Sequence, residues 1–75
     1  MFWFKNKRKK LEDIVEELDL RLEVGEIIEH WQVDEMLEGY SEKVKHLVWM
    51  AVDDENEYGM SYIWEEIDDL KDSDL

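Results

Sequence analysis

The sequence predicts a mainly α fold, a small single-domain helical bundle of three to four short helices. Three observations carry that expectation. Apolar residues recur at helical spacing along most of the chain, Pro is absent, and the only glycines, Gly25, Gly39 and Gly59, divide the 75 residues at roughly even intervals. Glycine adopts the left-handed conformation that ends many helices, so each of the three reads as a helix stop.

The first helix is expected from Leu11, Ile14, Val15, Leu18 and Leu22, which follow the i, i+3, i+4, i+7, i+11 pattern of one helical face. A second segment offers Ile27, Ile28 and Trp31, then Met36, Leu37 and Tyr40, with Asp34 as a break or fresh cap between them. In the third, Ser41 caps a helix whose inner face is Val44, Leu47, Val48 and Ala51. The fourth begins near Ser61 and turns Ile63, Trp64, Ile67 and Leu70 inward.

A competing α+β reading applies to residues 44–64. His46 to Val52 is one continuous run dominated by apolar side chains, Asp53 to Glu57 is polar, and Tyr58, Met60, Tyr62 and Trp64 alternate strictly. Those are the marks of a C-terminal β-hairpin at about 44–52 and 57–64. Leu18, Leu20, Leu22 and Val24 alternate too, ahead of a Gly25-Glu26 pair that suits a two-residue turn.

Charge divides the chain unevenly. Residues 1–10 form a basic aromatic segment with five of the nine Lys and Arg and no acid, whereas residues 11–75, read as one acidic globular domain, hold all 22 acids and four bases, a formal charge of 4 − 22 = −18. A compact body so negative opposes its own folding by self-repulsion, which points to a basic partner. A chain of this length buries only about 60% of the surface its unfolded form would expose. Such small domains usually need disulfides, a metal, oligomerisation or unusually good packing. There is no Cys, which excludes disulfides and agrees with a reducing cytoplasm. Four Trp, three Tyr and two Phe are a heavy aromatic load and suggest a homodimer. No apolar run approaches the length of a membrane span, and Met1 to Phe4 is too short for the apolar part of a secretory signal, so a cytoplasmic protein is expected.

On the first helix Glu12, Glu16, Asp19 and Glu23 recur at i, i+4, i+7 and i+11, with Asp13 and Glu17 beside them. Successive carboxylates on such a ridge lie roughly 4.5–6 Å apart along the axis, within a factor of two of the phosphate spacing on one DNA strand. Asp53, Asp54, Glu55 and Glu57 make a second cluster, and Glu65, Glu66, Asp68, Asp69, Asp72 and Asp74 a third. One acidic stripe is ordinarily just a solvated face. Here every stripe has the same sign, and after residue 10 only Arg21, Lys43, Lys45 and Lys71 offset the acids, so most of the usual i, i+4 ion pairing is forgone.

In size, charge and aromatic content the whole chain resembles the small acidic DNA-mimic proteins that bacteriophages direct against host nucleoid proteins such as HU, RNA polymerase, or DNA repair and defence enzymes. The likeness is of kind and carries no motif. It implies a mode of action, with carboxylates of the first helix and of Asp53 to Glu57 standing in for phosphates on a basic host protein and no direct binding of nucleic acid. Trp49 and Tyr58 are the candidate aromatic anchors at the interface centre. The basic start departs from a uniformly acidic mimic. The alternative is an acidic adaptor or regulator that binds through exposed aromatics and uses its acidity for solubility.

Other constellations are weaker. Aromatics followed by Lys5 to Lys10 suit an anionic membrane surface, but the acidic body opposes that, and pairing with the chain's own acids is the preferred reading. Asp54, Asn56, Gly59 and Glu65 match positions 1, 3, 6 and 12 of an EF-hand loop, yet Tyr58 and Ser61 break the pattern. His30 stands four residues from both Glu26 and Asp34, a spacing that is usually ion pairing and seldom a zinc site, and His46 reads as partly buried. With no Cys or Thr nucleophile, no base adjacent to Ser41, Ser61 or Ser73 and no glycine-rich phosphate loop, neither an enzyme nor a cofactor or metal site is expected.

Overall fold

The computed structural model describes residues 2–53 and 59–75, with side-chain surroundings for residues 6–53 and 62–75. The chain is mainly α: α1 (Phe2–Glu23), α2 (His30–Met36), α3 (Glu42–Asp53), α4 (Gly59–Asp69) and a closing 3-10 turn, Asp72–Asp74. No strand occurs among the described residues. The hairpin at 44–52 and 57–64 is thereby corrected: α3 and α4 cover both arms except residues 57 and 58, which lie outside the described residues. The apolar run from His46 misleads because α3 packs against α1, α2 and α4. A helix with several neighbours is apolar over more than one narrow stripe. Thus Val44, Val48 and Ala51 are buried while Leu47, Trp49 and Val52 pack around them.

Helix α1 runs straight through the change from basic to acidic composition. Its Leu11, Val15 and Leu18 are fully buried, with Ile14 and Leu22 at the margin. The helix ends as its glycine suggests: Gly25 has φ 85°, the Glu26 amide bonds to the Arg21 carbonyl at 3.0 Å, and the Gly25 amide to the Leu22 carbonyl at 3.0 Å. That is the paired closure of a Schellman motif. It also replaces the hairpin turn considered at Gly25-Glu26. Gly39, at φ 92°, lies in the turn beyond the Leu37 cap of α2, where the Tyr40 amide bonds to the Leu37 carbonyl at 3.0 Å. Gly59 does not, because it begins α4 where a helix stop was expected.

The second segment is shorter than its apolar pattern suggests. Helix α2 begins only at His30, and the Gln32 side-chain oxygen accepts the Glu29 amide at 2.8 Å to fix its start. Val33 and Leu37, four residues apart, are fully buried, and Ile28 is buried beside the same core. The other i, i+4 pair, Ile27 and Trp31, faces outward, although both belong to the apolar pattern of this segment. Asp34 lies inside the helix and is no break.

Ser41 caps α3 as expected, its hydroxyl accepting the Val44 amide at 3.2 Å. The same hydroxyl donates to the Asp74 carbonyl, and the Ser41 amide donates to the Leu75 carbonyl at 2.7 Å. These bonds hold the buried Leu75 side chain in the core beside Ile63, Ile67 and Leu70 of the α4 region.

Arg8 binds the two ends of the fold together. Its Nη1 donates to the Ile67 carbonyl at 2.7 Å, its Nη2 donates to the Leu70 carbonyl, and the same nitrogen meets Asp72 Oδ1 at 3.3 Å. The last carbonyls of a helix have no partner within it and carry its negative dipole end, so a guanidinium there gains both hydrogen bonds and charge. Lys7 donates to the Gly39 carbonyl at 2.8 Å, and the Tyr40 hydroxyl donates to the Lys7 carbonyl at 2.6 Å. Lys9 merely pairs with Asp13 at 3.3 Å on the exposed surface. Replacing Arg8 by Met should therefore cost about 2–3 kcal/mol in denaturant unfolding, the value of charged hydrogen bonds lost at a half-buried site. Lys9→Met should cost under about 0.5 kcal/mol. Equal losses from the two variants would show that Arg8 is not the clasp.

Candidate functional site

Each residue of an α-helix advances about 100° around the axis. With Leu11, Val15 and Leu18 set inward, Glu12, Glu16, Asp19 and Glu23 fall within roughly 60° of one another on the outer side of α1 and span about 16 Å of its length. Glu16 and Glu23 are exposed and Glu12 and Asp19 half-buried. None of these four is ion-paired with a described residue, whereas Asp13 meets Lys9 at 3.3 Å and Glu17 meets Arg21 at 3.1 Å. Of the six carboxylates assigned to α1 by sequence, four thus form an uncompensated ridge and two are partly neutralised.

The second acidic cluster is represented only by Asp53, since Asp54, Glu55 and Glu57 lie outside the described residues. Asp53 is engaged: its Oδ2 lies 2.6 Å from His30 Nε2. The third cluster divides. Asp72 pairs with Arg8 and Asp74 with Lys43 at 3.6 Å, while Glu65, Asp68 and Asp69 on α4 stay exposed.

Of the two anchors chosen by sequence, Tyr58 falls outside the described residues. Trp49 is placed differently from expectation. It packs against the core, half-buried, and stacks on the His30 ring at 5.0 Å between centroids and 6° between planes. An indole clasped in this way between α2 and α3 is unsuited to leading an interface. Among the described residues the exposed tryptophan is Trp31, 60% accessible, whose indole N–H donates to the Glu29 carboxylate. Trp31 and Met36 line a shallow groove between α1 and α2, with Glu17, Arg21, Gln32 and Glu35 around them.

Sequence reasoning also missed Leu20 and Val24, 57% and 82% exposed. Both stand outside the buried stripe of α1, Leu20 on its outer face between the ridge and Glu17 and Val24 just past its end. The signal is present, since neither residue fits the i, i+3, i+4 series of the core, and their alternation with Leu18 and Leu22 supports only the competing reading.

The weaker constellations come apart in the fold. Because α2 starts at His30, Glu26 is not on its helix, and the imidazole meets Asp53 instead. Among the described residues no three His, Asp or Glu side chains converge as metal ligands. Positions Ser61 to Glu65 of the EF-hand match already belong to α4. His46 is exposed on α3, correcting the expectation of partial burial. Among the described residues no helix is long and apolar enough to cross a membrane.

The field of the α4 carboxylates is felt by Tyr62. A hydrogen bond to Glu66 raises its phenol above the usual tyrosine range, and the charges of Glu66, Glu65 and Asp69 add to the effect. A raised folded-state pKa means that the contact stabilises fully below the ordinary tyrosine value and is lost as pH climbs through the raised one. In an alkaline titration followed by phenolate absorbance, Glu66→Gln should move one tyrosine midpoint to lower pH. A curve identical to that of the parent would remove the assigned contact.

No family model matches the chain, and neither a curated protein nor a solved structure matches it.

Proposed function

We propose that this protein is a DNA-mimic inhibitor that occupies the DNA-binding surface of a basic host protein and blocks it. The partner class is a nucleoid protein such as HU, RNA polymerase, or a DNA repair or defence enzyme, met in the cytoplasm of a bacterial host. The observation that carries the reading is the ridge of Glu12, Glu16, Asp19 and Glu23, four aligned carboxylates with no cationic neighbour within ion-pairing distance among the described residues. Lysines and arginines that normally meet phosphates would meet these instead. Such binding is electrostatically steered and weakens steeply with salt.

The test is capture from bacterial lysate by the immobilised protein, eluted with a salt gradient. The expected result is one or a few DNA-binding proteins, released by salt and by competitor duplex DNA, and not captured by a Glu12→Lys/Glu16→Lys variant. If that variant folds normally and still captures them, the ridge is not the phosphate surrogate. The cost of the ridge should also be visible in the free protein, whose melting temperature should rise with moderate salt as like charges at i, i+4 spacing are screened.

The adaptor reading keeps one specific support, the exposed Trp31, in place of Trp49. Binding dominated by that aromatic would barely change with salt and would ignore DNA. A homodimer, suggested by the aromatic load, is best accommodated on α3, where Met50 is exposed and the helix carries two lysines against two acids. Sedimentation velocity over a rising concentration series should then show a dimer, weakened by Met50→Glu. A monomer at every concentration would end that part of the proposal.

A further inference from the structure

We propose that the outer face of α1 at Leu20 and Val24, continued by Ile27 and Trp31, is a docking surface for a basic amphipathic helix of another protein. Six large apolar side chains are strongly exposed among the described residues, and four of them lie between positions 20 and 31. Exposed apolar residues scattered singly are ordinary, whereas a contiguous set rimmed by polar groups marks an interaction site. Leu20 and Val24 stand one helical turn apart, Val24 leads into the α1–α2 connection that carries Ile27, and Trp31 borders the groove against Glu17 and Arg21 of α1.

Charge selects the occupant. Glu16 and Glu23 flank the apolar strip on one side and Glu17 on the other, with Glu26 and Glu35 near its α2 end. The one base within the rim, Arg21, is already held by Glu17 at 3.1 Å and Glu26 at 3.8 Å. A second copy of this chain would bring carboxylates against carboxylates, and an anionic lipid surface would be repelled in the same way. A helix with apolar residues at i, i+4 flanked by Lys and Arg satisfies both halves of the surface, and a groove between two helices is a common seat for such an anchor pattern. The proposal shares α1 with the DNA-mimic reading but adds an apolar centre that a phosphate imitation lacks. It does not require the partner to bind DNA.

The probe is a synthetic amphipathic helical peptide of leucines and lysines, compared at near-physiological salt with a peptide of equal charge in which glutamine replaces leucine. The expected result is that the leucine peptide binds at least about tenfold more tightly and perturbs the amide NMR signals of Leu20, Val24, Ile27 and Trp31. A Leu20→Ser/Val24→Ser variant, altered only at exposed positions, should keep its helical circular dichroism and lose at least about tenfold in affinity, as removal of central apolar anchors does. Equal binding of the two peptides, signal changes confined to α3 and α4, or an unaffected double variant would each overturn the proposal. So would concentration-dependent broadening of the same four signals without peptide, because the occupant would then be a second copy. Failure to capture any DNA-binding protein would count against the mimic reading alone, since the peptide is the only partner used here.

Discussion

The near-neutrality of α3 is the constraint on which the rest of the molecule depends. Acids outnumber bases by 22 to 9 in the chain, yet α3 carries two of each. It is also the helix against which α1, α2 and α4 all pack. A central helix with the composition of the body around it would bring carboxylates into the interior, where an unpaired charge costs far more than at the surface. No charged or polar residue is buried among the described ones. Charge is thus excluded from the axis of the bundle and carried outside, where water and salt screen it. The wide apolar girth of α3 follows from the same requirement.

The basic N-terminal residues complete this arrangement from the other direction. A composition boundary at residue 10 suggests a separate segment, but α1 passes through it without interruption. Arg8 meets the carbonyls that end α4, Lys7 meets the turn after α2, and Lys9 and Arg8 each meet an acid of the chain. Positive charge placed on an otherwise negative body is worth more as an internal clasp than as a free patch. The contacts of Arg8 and Lys7 join elements, and the pairs of Arg8 and Lys9 with acids lower self-repulsion. Leu75, tucked into the core below Ser41, seals the same end of the bundle.

Where an element buries one stripe and ends on a positive-φ glycine, its pattern was legible from the sequence. Leu11 to Leu22, closed by Gly25, is of that kind, and the Ser41 cap and the Ile63, Ile67, Leu70 series were legible from capping chemistry and spacing alone. Legibility failed where two stripes compete for one interior. Ile27 and Trp31 have the same spacing as Val33 and Leu37, and nothing local says which pair turns inward. The choice is made by α3, whose position is a tertiary fact. The strict alternation from Tyr58 to Trp64 likewise carried less weight than the Ile63, Ile67, Leu70 series that overlaps its end. For the candidate site, the acidic ridge could be read from periodicity alone. The partial neutralisation of Asp13 and Glu17, the engagement of Asp53 and the clasping of Trp49 by His30 depend on which side chains meet in space.

The outer face of α1 combines two properties that ordinary surface helices keep apart. A helix selected only for solubility would mix charges of both signs and place no leucine at the centre of its solvent side. A helix selected only to imitate phosphates would need the carboxylates and not Leu20 or Val24. Long-range charge mainly raises the rate at which a basic partner arrives and excludes acidic competitors, whereas desolvated apolar contact mainly sets how slowly it leaves. An acidic frame around an apolar strip therefore divides recognition between two terms with different responses to salt. A partner able to satisfy only the charge would come and go quickly, and one able to satisfy both would stay.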